Sequence, residues 1–274
     1  MNLFHTSRRL ALTVVFAVVA AGAAAQTQTQ TAKPFEPQSG QAGKDVVWVP
    51  TPQPLVDKML DLANVTAQDY VIDLGSGDGR TVISAAKRGA TAQGIEYNPD
   101  MVALSQKNAA AQGVTGKATF AKADLFETDF SKATVITMFL LPSINMQLRP
   151  KILNMKPGTR VVSNAFDMED WQPDETGTTP NCTQWCKAML WIVPAKAAGT
   201  WKLPQGDLTV TQKFQVLSGT LGGMPIANGK LRGDQVTFEA GNSKYTGRVN
   251  GDTMEGTLTA GGSTSNFKAS RTGR

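Results

Sequence analysis

A glycine-rich turn between an apolar run and a helical pattern places the strongest constraint on the fold of this chain. Residues 71–80 read Val-Ile-Asp-Leu-Gly-Ser-Gly-Asp-Gly-Arg, and the residues that follow, to Lys87, have helical spacing. A strand, a tight turn and a helix in that order form the first crossover of a parallel α/β sheet. Ligands of such sheets bind beyond the carboxyl ends of the strands. The sequence therefore predicts a ligand site at Gly75, Gly77 and Gly79.

The spacing of these glycines argues against a dinucleotide ligand. The dinucleotide fingerprint is G-x-G-x-x-G, and Arg80 stands where its third glycine belongs. Two acids extend the pattern instead: Glu96 ends the next apparent strand, and Asp124 ends the one after it. Glu96 follows the first glycine by about 20 residues, a distance at which an acid can accept bonds from ribose hydroxyls. The alternative is that both acids are ordinary strand-end caps.

The glycine loop and its two acids resemble the cofactor site of class I S-adenosylmethionine-dependent methyltransferases. The resemblance implies S-adenosyl-L-methionine as the cofactor and a doubly wound, Rossmann-like α/β sheet. It assigns the methionine end of the cofactor to Asp73 and the loop, the ribose to Glu96, and the adenine to Asp124 and Leu125. Lid residues near the transferred methyl group are also implied. The loop residues are Gly75, Ser76, Gly77, Asp78 and Gly79, and the lid residues are Trp48, Pro50 and Thr51.

A closer resemblance covers residues 45–195. Short motifs at 49–52, 73–80, 94–96, 140–142, 157–163 and 166–171 occur in an order similar to that of the small seven-strand lysine methyltransferases. These enzymes modify mitochondrial membrane proteins and have bacterial relatives. The resemblance implies a protein lysine as the methyl acceptor.

Aromatic residues after the later strands are candidates for the acceptor pocket. Phe139, Phe166 and Trp171 are expected to form its walls, because an apolar pocket desolvates an amine and aromatic faces bind its cation. Asp167 is expected to accept a proton directly or through water. Core packing remains the alternative for the aromatic residues, and a loop or helix cap remains the alternative for Asp167.

The composition excludes several kinds of chemistry. The one histidine, His5, lies in the predicted signal, so the mature chain has no Ser/His/Asp or Cys/His centre and no histidine-ligated zinc. Cys182 and Cys186 cannot complete a four-thiolate metal site, and we predict no metal. Both a disulfide and two free thiols fit this pair. Residues 138–142 lack the Asn/Asp-Pro-Pro-Tyr/Phe signature of nucleic-acid amine methyltransferases, so no nucleic-acid partner is expected.

The first 25 residues are typical of a secretory signal. Arg8 and Arg9 precede an apolar stretch over 10–21, and alanines at 23–25 predict cleavage before Gln26. The arginine pair also resembles a twin-arginine export motif, but we favour an ordinary Sec signal. Residues 26–44 are mostly polar, and this composition predicts a flexible linker. We expect a periplasmic or secreted protein whose mature chain has no transmembrane segment.

The chain changes character after Pro194. Residues 199–274 contain short alternating runs separated by glycines, which predict a small antiparallel β domain of six or more strands, partly closed into a barrel. Residues 196–274 carry ten Lys and Arg against five Asp and Glu, whereas residues 26–195 are slightly acidic. This excess indicates either contact with an anionic envelope component or ordinary solvated charge.

The sequence thus predicts an exported S-adenosylmethionine-dependent methyltransferase that N-methylates protein lysine by in-line transfer. Two alternatives stay open. One is a non-catalytic protein that binds S-adenosylmethionine or the envelope, and the other is a small-molecule methyltransferase.

Overall fold

The computed structural model describes residues 1–2, 35–180 and 182–273. The predicted signal peptide over 1–25 lies outside the described residues apart from Met1 and Asn2, and so does the predicted linker up to residue 34. Within the described parts of the chain, no helix combines the length and the apolar character needed to cross a membrane.

A seven-stranded sheet with helices on both faces occupies the region from residue 53 to residue 192. The strand order is β3-β2-β1-β4-β5-β7-β6, and the first five strands in this order are parallel. This confirms the predicted doubly wound, Rossmann-like sheet. The helices are α1 (Gln53–Leu62), α2 (Arg80–Lys87), α3 (Pro99–Ala111) and α4 (Pro142–Ile152). The strands are β1 (Tyr70–Leu74), β2 (Thr91–Glu96), β3 (Ala118–Lys122), β4 (Val135–Met138), β5 (Arg160–Asn164), β6 (Glu175–Thr178) and β7 (Lys187–Ile192).

Each face of this sheet has its own apolar core. Neighbouring residues of a strand point to opposite faces, so Val71 joins α1, α2 and α3 on one face, and Ile72 joins α4 on the other. The strands are buried on both faces and therefore read as continuous apolar runs. This burial holds the carboxyl ends of β1, β2 and β4 at one edge of the sheet.

The last two strands close the sheet in antiparallel fashion. Strand β7 pairs with β5, and β6 forms the edge beyond it. The sequence indicated β7 but not β6, because the residues of β6 are exposed and show no apolar alternation.

The remaining strands form a separate, closed antiparallel barrel. The sequence predicted at least six strands and partial closure, whereas the structure has eight, and β9 pairs with β10 to complete the ring. In its interior the ring of Tyr245 stacks on Phe238 and meets Phe267 edge to face. The strands are β8 (Gly199–Leu203), β9 (Gly206–Lys213), β10 (Val216–Leu221), β11 (Met224–Arg232), β12 (Gln235–Ala240), β13 (Ser243–Asn250), β14 (Thr253–Ala260) and β15 (Ser263–Gly273).

The barrel packs on the sheet domain through the turn between β9 and β10. The ring of Phe214 in this turn stacks on Trp171, with centroids 5.7 Å apart. The indole of Trp191 donates a 2.6 Å hydrogen bond to the Trp171 carbonyl. Asp170 pairs with Arg149 of the sheet domain and with Lys213 of the barrel. Trp171 therefore belongs to the contact between the two domains.

Candidate functional site

A cleft opens at the carboxyl ends of β1, β2 and β4. Most of the residues predicted to bind the cofactor line it, and Phe139 does so as well. Asp167 and Trp171 are not among its lining residues. The predicted residues that line the cleft are Trp48, Pro50, Thr51, Asp73, Gly75, Ser76, Gly77, Asp78, Glu96, Asp124, Leu125 and Phe139.

The glycine loop has a shape that requires glycine at its later positions. Gly77 has a φ of 54° and Gly79 a φ of 82°, in the left-handed region that side chains disfavour. A Cβ atom on Gly77 would lie 2.4 Å from Nε1 of Trp48, and one on Gly79 would lie 2.7 Å from the Phe120 ring. The loop therefore lies close to the Trp48 lid on one side and to the sheet on the other, and Gly79 supports it from outside the cleft lining.

Two side chains of helix α3 hold the glycine loop by hydrogen bonds. The hydroxyl of Ser105 donates a 2.7 Å bond to the Gly77 carbonyl, and the Asn108 amide donates a 2.9 Å bond to the Asp78 carbonyl. Sequence reasoning missed both residues. A polar residue at position 105 among the apolar positions of α3 was the available signal, since a buried hydroxyl needs a partner.

Arg80 joins the loop to the lid. Its guanidinium contacts both oxygens of Asp78 and donates a 2.9 Å bond to the Thr51 carbonyl. Arg80 stands where a dinucleotide fingerprint would have its third glycine, and in this chain it holds the turn and the lid in one arrangement.

Asp73 is a buried carboxylate at the floor of the cleft. Its side chain is 6% exposed and accepts a 2.6 Å bond from the Thr137 hydroxyl. Burial raises the pKa of Asp73 from 3.8 to about 7, against the opposing effect of the Thr137 bond, and the nearby Glu96 carboxylate raises it further. The site thus contains a carboxyl group whose ionisation a bound cation would favour.

Glu96 supports the loop from the end of β2. Its two oxygens accept 2.9 Å bonds from the backbone N–H groups of Gly77 and Asn98. The residue therefore does act as a cap. A carboxylate has further lone pairs, so both oxygens can also accept bonds from the hydroxyls of a ligand.

Asp124 already binds an amino group in this structure. Nζ of Lys44 lies 2.5 Å from Oδ2 of Asp124, 5.1 Å from the centroid of the Tyr97 ring and 5.9 Å from that of Phe126. The hydrogen bond between them raises the pKa of Lys44 and lowers the pKa of Asp124. In this structure the ammonium group of Lys44 therefore occupies the Asp124 carboxylate, and an adenine amino group would share the carboxylate with Lys44 or displace it.

These features fit S-adenosylmethionine. Asp73 can pair with the cationic methionine end, Glu96 can accept from two ribose hydroxyls, and Asp124 beside Tyr97 can bind an aromatic amine. The hydroxyl oxygen of Ser76 is buried in the loop and has no hydrogen-bond partner among the described residues, so a polar ligand would satisfy it.

Replacing Glu96 with alanine is expected to weaken S-adenosylmethionine binding by about 1–3 kcal/mol, because a charge-assisted bond and the support of Gly77 are lost together. Calorimetric titration of the folded variant measures this change, with NAD as a control ligand for the wild type. Unchanged affinity in a well-folded variant would remove Glu96 from the site.

Three aromatic side chains meet at the Phe139 side of the cleft, and we call them the aromatic cluster (Phe139, Phe166 and Trp185). The Phe139 ring centroid lies 6.0 Å from that of Phe166 and 6.0 Å from that of Trp185. The Phe166 and Trp185 centroids are 5.2 Å apart. The structure thus brings together Phe139 and Phe166 as predicted wall residues, together with a tryptophan that the sequence analysis did not select.

The other predicted catalytic residues lie elsewhere. Trp171 is fully buried against Trp191 and Phe214. This is the core-packing alternative, and the position gives Trp171 no contact with the cleft. Asp167 is exposed, and its Oδ1 accepts a 3.1 Å bond from the Glu169 N–H, which is the local cap considered above.

A disulfide joins Cys182 to Cys186 and so resolves the alternative left open for these residues. Trp185 lies within the five-residue ring that it closes. The signal that could have found Trp185 was its position beside Cys186, in a segment with no apolar periodicity.

Known proteins similar to this chain are methyltransferases. The model of the ANTKMT methyltransferase domain matches residues 73–175. A protein-lysine N-methyltransferase of Saccharolobus islandicus (strain REY15A) is 47% identical over 133 residues, which make up 47% of this chain and 83% of that protein. A Homo sapiens lysine N-methyltransferase of an ATP synthase subunit is 40% identical over 105 residues, which make up 38% of this chain and 45% of that protein. The chain thus spans less than half the length of the human protein.

A solved structure has the same sheet domain. The RNA methyltransferase from Salinibacter ruber, in complex with S-adenosyl-L-homocysteine, is 47% identical with a TM-score of 0.51. The match covers 54% of this chain and 96% of that protein. S-adenosyl-L-homocysteine is the cofactor without its methyl group, so the comparison agrees with the cofactor that the cleft fits.

Proposed function

Since this chain belongs to the family of S-adenosylmethionine-dependent protein-lysine N-methyltransferases, we propose that it is an exported enzyme that N-methylates lysine side chains of proteins. The observation that carries the acceptor assignment is the position of Phe139. This ring lines the cofactor cleft and also belongs to the aromatic cluster. An apolar, aromatic surface therefore continues outward from the cofactor cleft.

In-line transfer places simple demands on the residues of this chain. When bound, S-adenosylmethionine supplies a methyl group on a positively charged sulfur. Asp73 and the glycine loop hold and orient the ligand, and the Trp48 lid excludes water. The Phe139 ring, which lines the cleft, desolvates the incoming amine, which lowers the pKa of the amine from about 10.4 and favours the neutral form that can attack. The released proton passes to solvent.

Three features support export. The predicted signal over residues 1–25 has a basic start, a short apolar core and a small-residue cleavage site. The Cys182–Cys186 disulfide is of the kind that persists in oxidising compartments such as the periplasm. The barrel contributes a third argument, since its excess of Lys and Arg suits contact with an anionic envelope component.

The decisive assay is transfer of a radiolabelled methyl group from S-adenosylmethionine to three acceptor pools. These are envelope protein, RNA and a small-molecule fraction from the same cells. We expect label in the protein pool, with Nε-methyl-lysine found by mass spectrometry. With S-adenosylmethionine below saturation, label should be strongly reduced in Asp73→Asn and kept in Asp207→Asn, a change at an exposed barrel residue.

Other outcomes of this assay contradict the proposal. Label confined to RNA would assign to this chain the activity by which the Salinibacter ruber protein is described. Label confined to small molecules would favour the third function considered above. Cofactor binding without transfer to any pool would favour a non-catalytic binding protein.

A further inference from the structure

We propose that Trp185 recognises the side chain of the acceptor and that the Cys182–Cys186 disulfide positions it for this purpose. The inference rests on the proposed function, because it takes a lysine side chain as the acceptor. A lysine arrives in solution as a cation, and a trimethylated product is a permanent cation. Both carry an alkyl chain and a positive end, which aromatic faces bind together.

The backbone of Trp185 is unusual for so large a residue. Its φ is 55°, in the left-handed region, and its side chain is 42% exposed. For a bulky residue this conformation is unfavourable, and it persists only where the surrounding structure imposes it. Exposure of the indole ring adds to the free-energy cost of this arrangement, because the ring lacks the stabilisation that burial would give. Strain of this kind concentrates at binding and catalytic sites.

A second residue with a left-handed backbone lies next to the aromatic cluster. Ala165 has a φ of 61° and directly precedes Phe166. Its N–H donates a 2.7 Å bond to the Lys187 carbonyl, one residue beyond Cys186. The two segments that carry Phe166 and Trp185 are therefore tied to each other by the backbone, and each has a left-handed residue at the cluster.

The disulfide restricts the segment that carries Trp185. Cys182 and Cys186 are bonded within a ring of five residues, with a Cα–Cα distance of 5.6 Å. A covalent ring this short leaves the intervening backbone few alternative conformations. The indole is thus held over Phe166 and Phe139 before any acceptor arrives, which reduces the entropy lost on binding.

The placement makes Trp185 the outer end of a continuous apolar path. Phe139 lines the cofactor cleft, and Trp185 contacts both Phe139 and Phe166 on the outward side. Residues 182–186 also lie beyond residue 175, where the match to the family model ends. Trp185 therefore lies outside the part of the chain that the family model covers.

The test uses the full chain and three variants. Trp185→Ala removes the ring, Trp185→Phe keeps an aromatic face, and Met224→Ala changes an exposed apolar residue of the barrel as a control. With a labelled lysine peptide from the envelope assay as substrate, we expect Trp185→Ala to raise KM about tenfold. Its kcat and its affinity for S-adenosylmethionine should change little. Trp185→Phe should restore much of the loss, and Met224→Ala should match the wild type.

A binding measurement separates this proposal from the proposed function. Saturation-transfer NMR with Nα-acetyl-trimethyl-lysine amide, and with Nα-acetyl-norleucine amide as its uncharged counterpart, reports recognition without methyl transfer. If the wild type methylates lysine and Trp185→Ala leaves KM and binding of the trimethyl-lysine probe unchanged, the role of Trp185 is refuted and the enzyme assignment stands. If Trp185-dependent binding of the probe occurs without methylation of any protein, the enzyme assignment fails and the recognition site stands.

The double variant Cys182→Ser/Cys186→Ser tests the positioning role of the disulfide. It keeps the indole but opens the ring, so KM should rise, by less than in Trp185→Ala, while cofactor affinity is unchanged. A KM equal to that of the wild type would show that the disulfide does not position Trp185.

Discussion

Asp73→Asn is expected to make the free protein more stable at pH 8 while it weakens cofactor binding. Burial raises the pKa of Asp73 to about 7 in the folded chain, from 3.8 as its ordinary value. The folded state therefore keeps this proton over a pH range in which the unfolded state has lost it. The free energy of unfolding falls as the pH rises from about 4 to about 7, by at most about 4 kcal/mol for a shift of this size.

Asparagine cannot ionise, so Asp73→Asn removes this penalty above pH 7 and has no such benefit near pH 4. Denaturant unfolding at both pH values measures the difference, with Asp207→Asn as a control at an exposed position. A variant that is no more stable at pH 8 than the wild type would contradict the assignment of a costly buried charge.

The same carboxylate should make cofactor binding depend on pH. If only the ionised form of Asp73 binds the cationic methionine end, affinity rises about tenfold from pH 6 to pH 8 as the group ionises. In Asp73→Asn we expect binding weakened by roughly ten- to a hundredfold and without this pH dependence, since a charge-assisted bond is lost. Calorimetry across this range distinguishes the two proteins, and a parallel pH dependence in both would assign the titration to another group.

Trp171→Ala is expected to reduce the free energy of unfolding by about 3–5 kcal/mol, the usual cost of truncating a large buried aromatic residue. Trp171 is fully buried, and its ring contacts both Trp191 of the sheet and Phe214 of the barrel. Loss of the ring should therefore weaken the attachment of the barrel as well as the core. Phe214→Ala, at a half-buried position, should have a smaller effect of the same kind.

Enzyme kinetics distinguish the structural role of Trp171 from its predicted role as a wall of the acceptor pocket. Trp171→Phe keeps a ring at the position and should fold, so its KM for the acceptor can be measured even if Trp171→Ala does not fold. If the role of Trp171 is structural, this KM should stay close to that of the wild type. If Trp171 forms a wall of the acceptor pocket, the KM should rise. A raised KM in a stable Trp171→Phe protein would return Trp171 to the site.

The cofactor cleft is predictable from sequence because its determinants are local. Gly77 and Gly79 follow a strand directly, and the left-handed turns that they adopt are a property of glycine itself. Glu96 ends β2 and Asp124 follows the end of the neighbouring parallel strand β3, and parallel strands bring their carboxyl ends to one edge.

The aromatic residues are harder to assign because their roles depend on distant parts of the chain. Trp171 and Trp185 are both tryptophans, and the apolar pattern around them does not indicate which of the two is buried. Trp171 is buried because the turn at Phe214, more than 40 residues later, packs on it. Trp185 is exposed because a disulfide and a left-handed backbone hold it outward. Neither condition is visible in local apolar patterning.

The contact of Lys44 with Asp124 is likewise not predictable from local sequence patterns. These residues are 80 positions apart, and Lys44 lies in a segment that composition alone assigns to a flexible linker. Its amine reaches Asp124 because the backbone N–H and carbonyl of Trp48 bond to residues 40 and 41 and fold the segment back on itself.

Closure of the barrel limits how a partner can bind to it. Every strand from β8 to β15 has two neighbours, but β8 pairs only with the last residues of β15, so residues 263–268 of β15 are paired on one side alone. Addition of a peptide or of a second barrel as a further strand is therefore confined to this short stretch within the described residues of the domain. Elsewhere a partner must contact side chains or hairpin turns. Binding of that kind by a domain rich in Lys and Arg should weaken steeply as ionic strength rises.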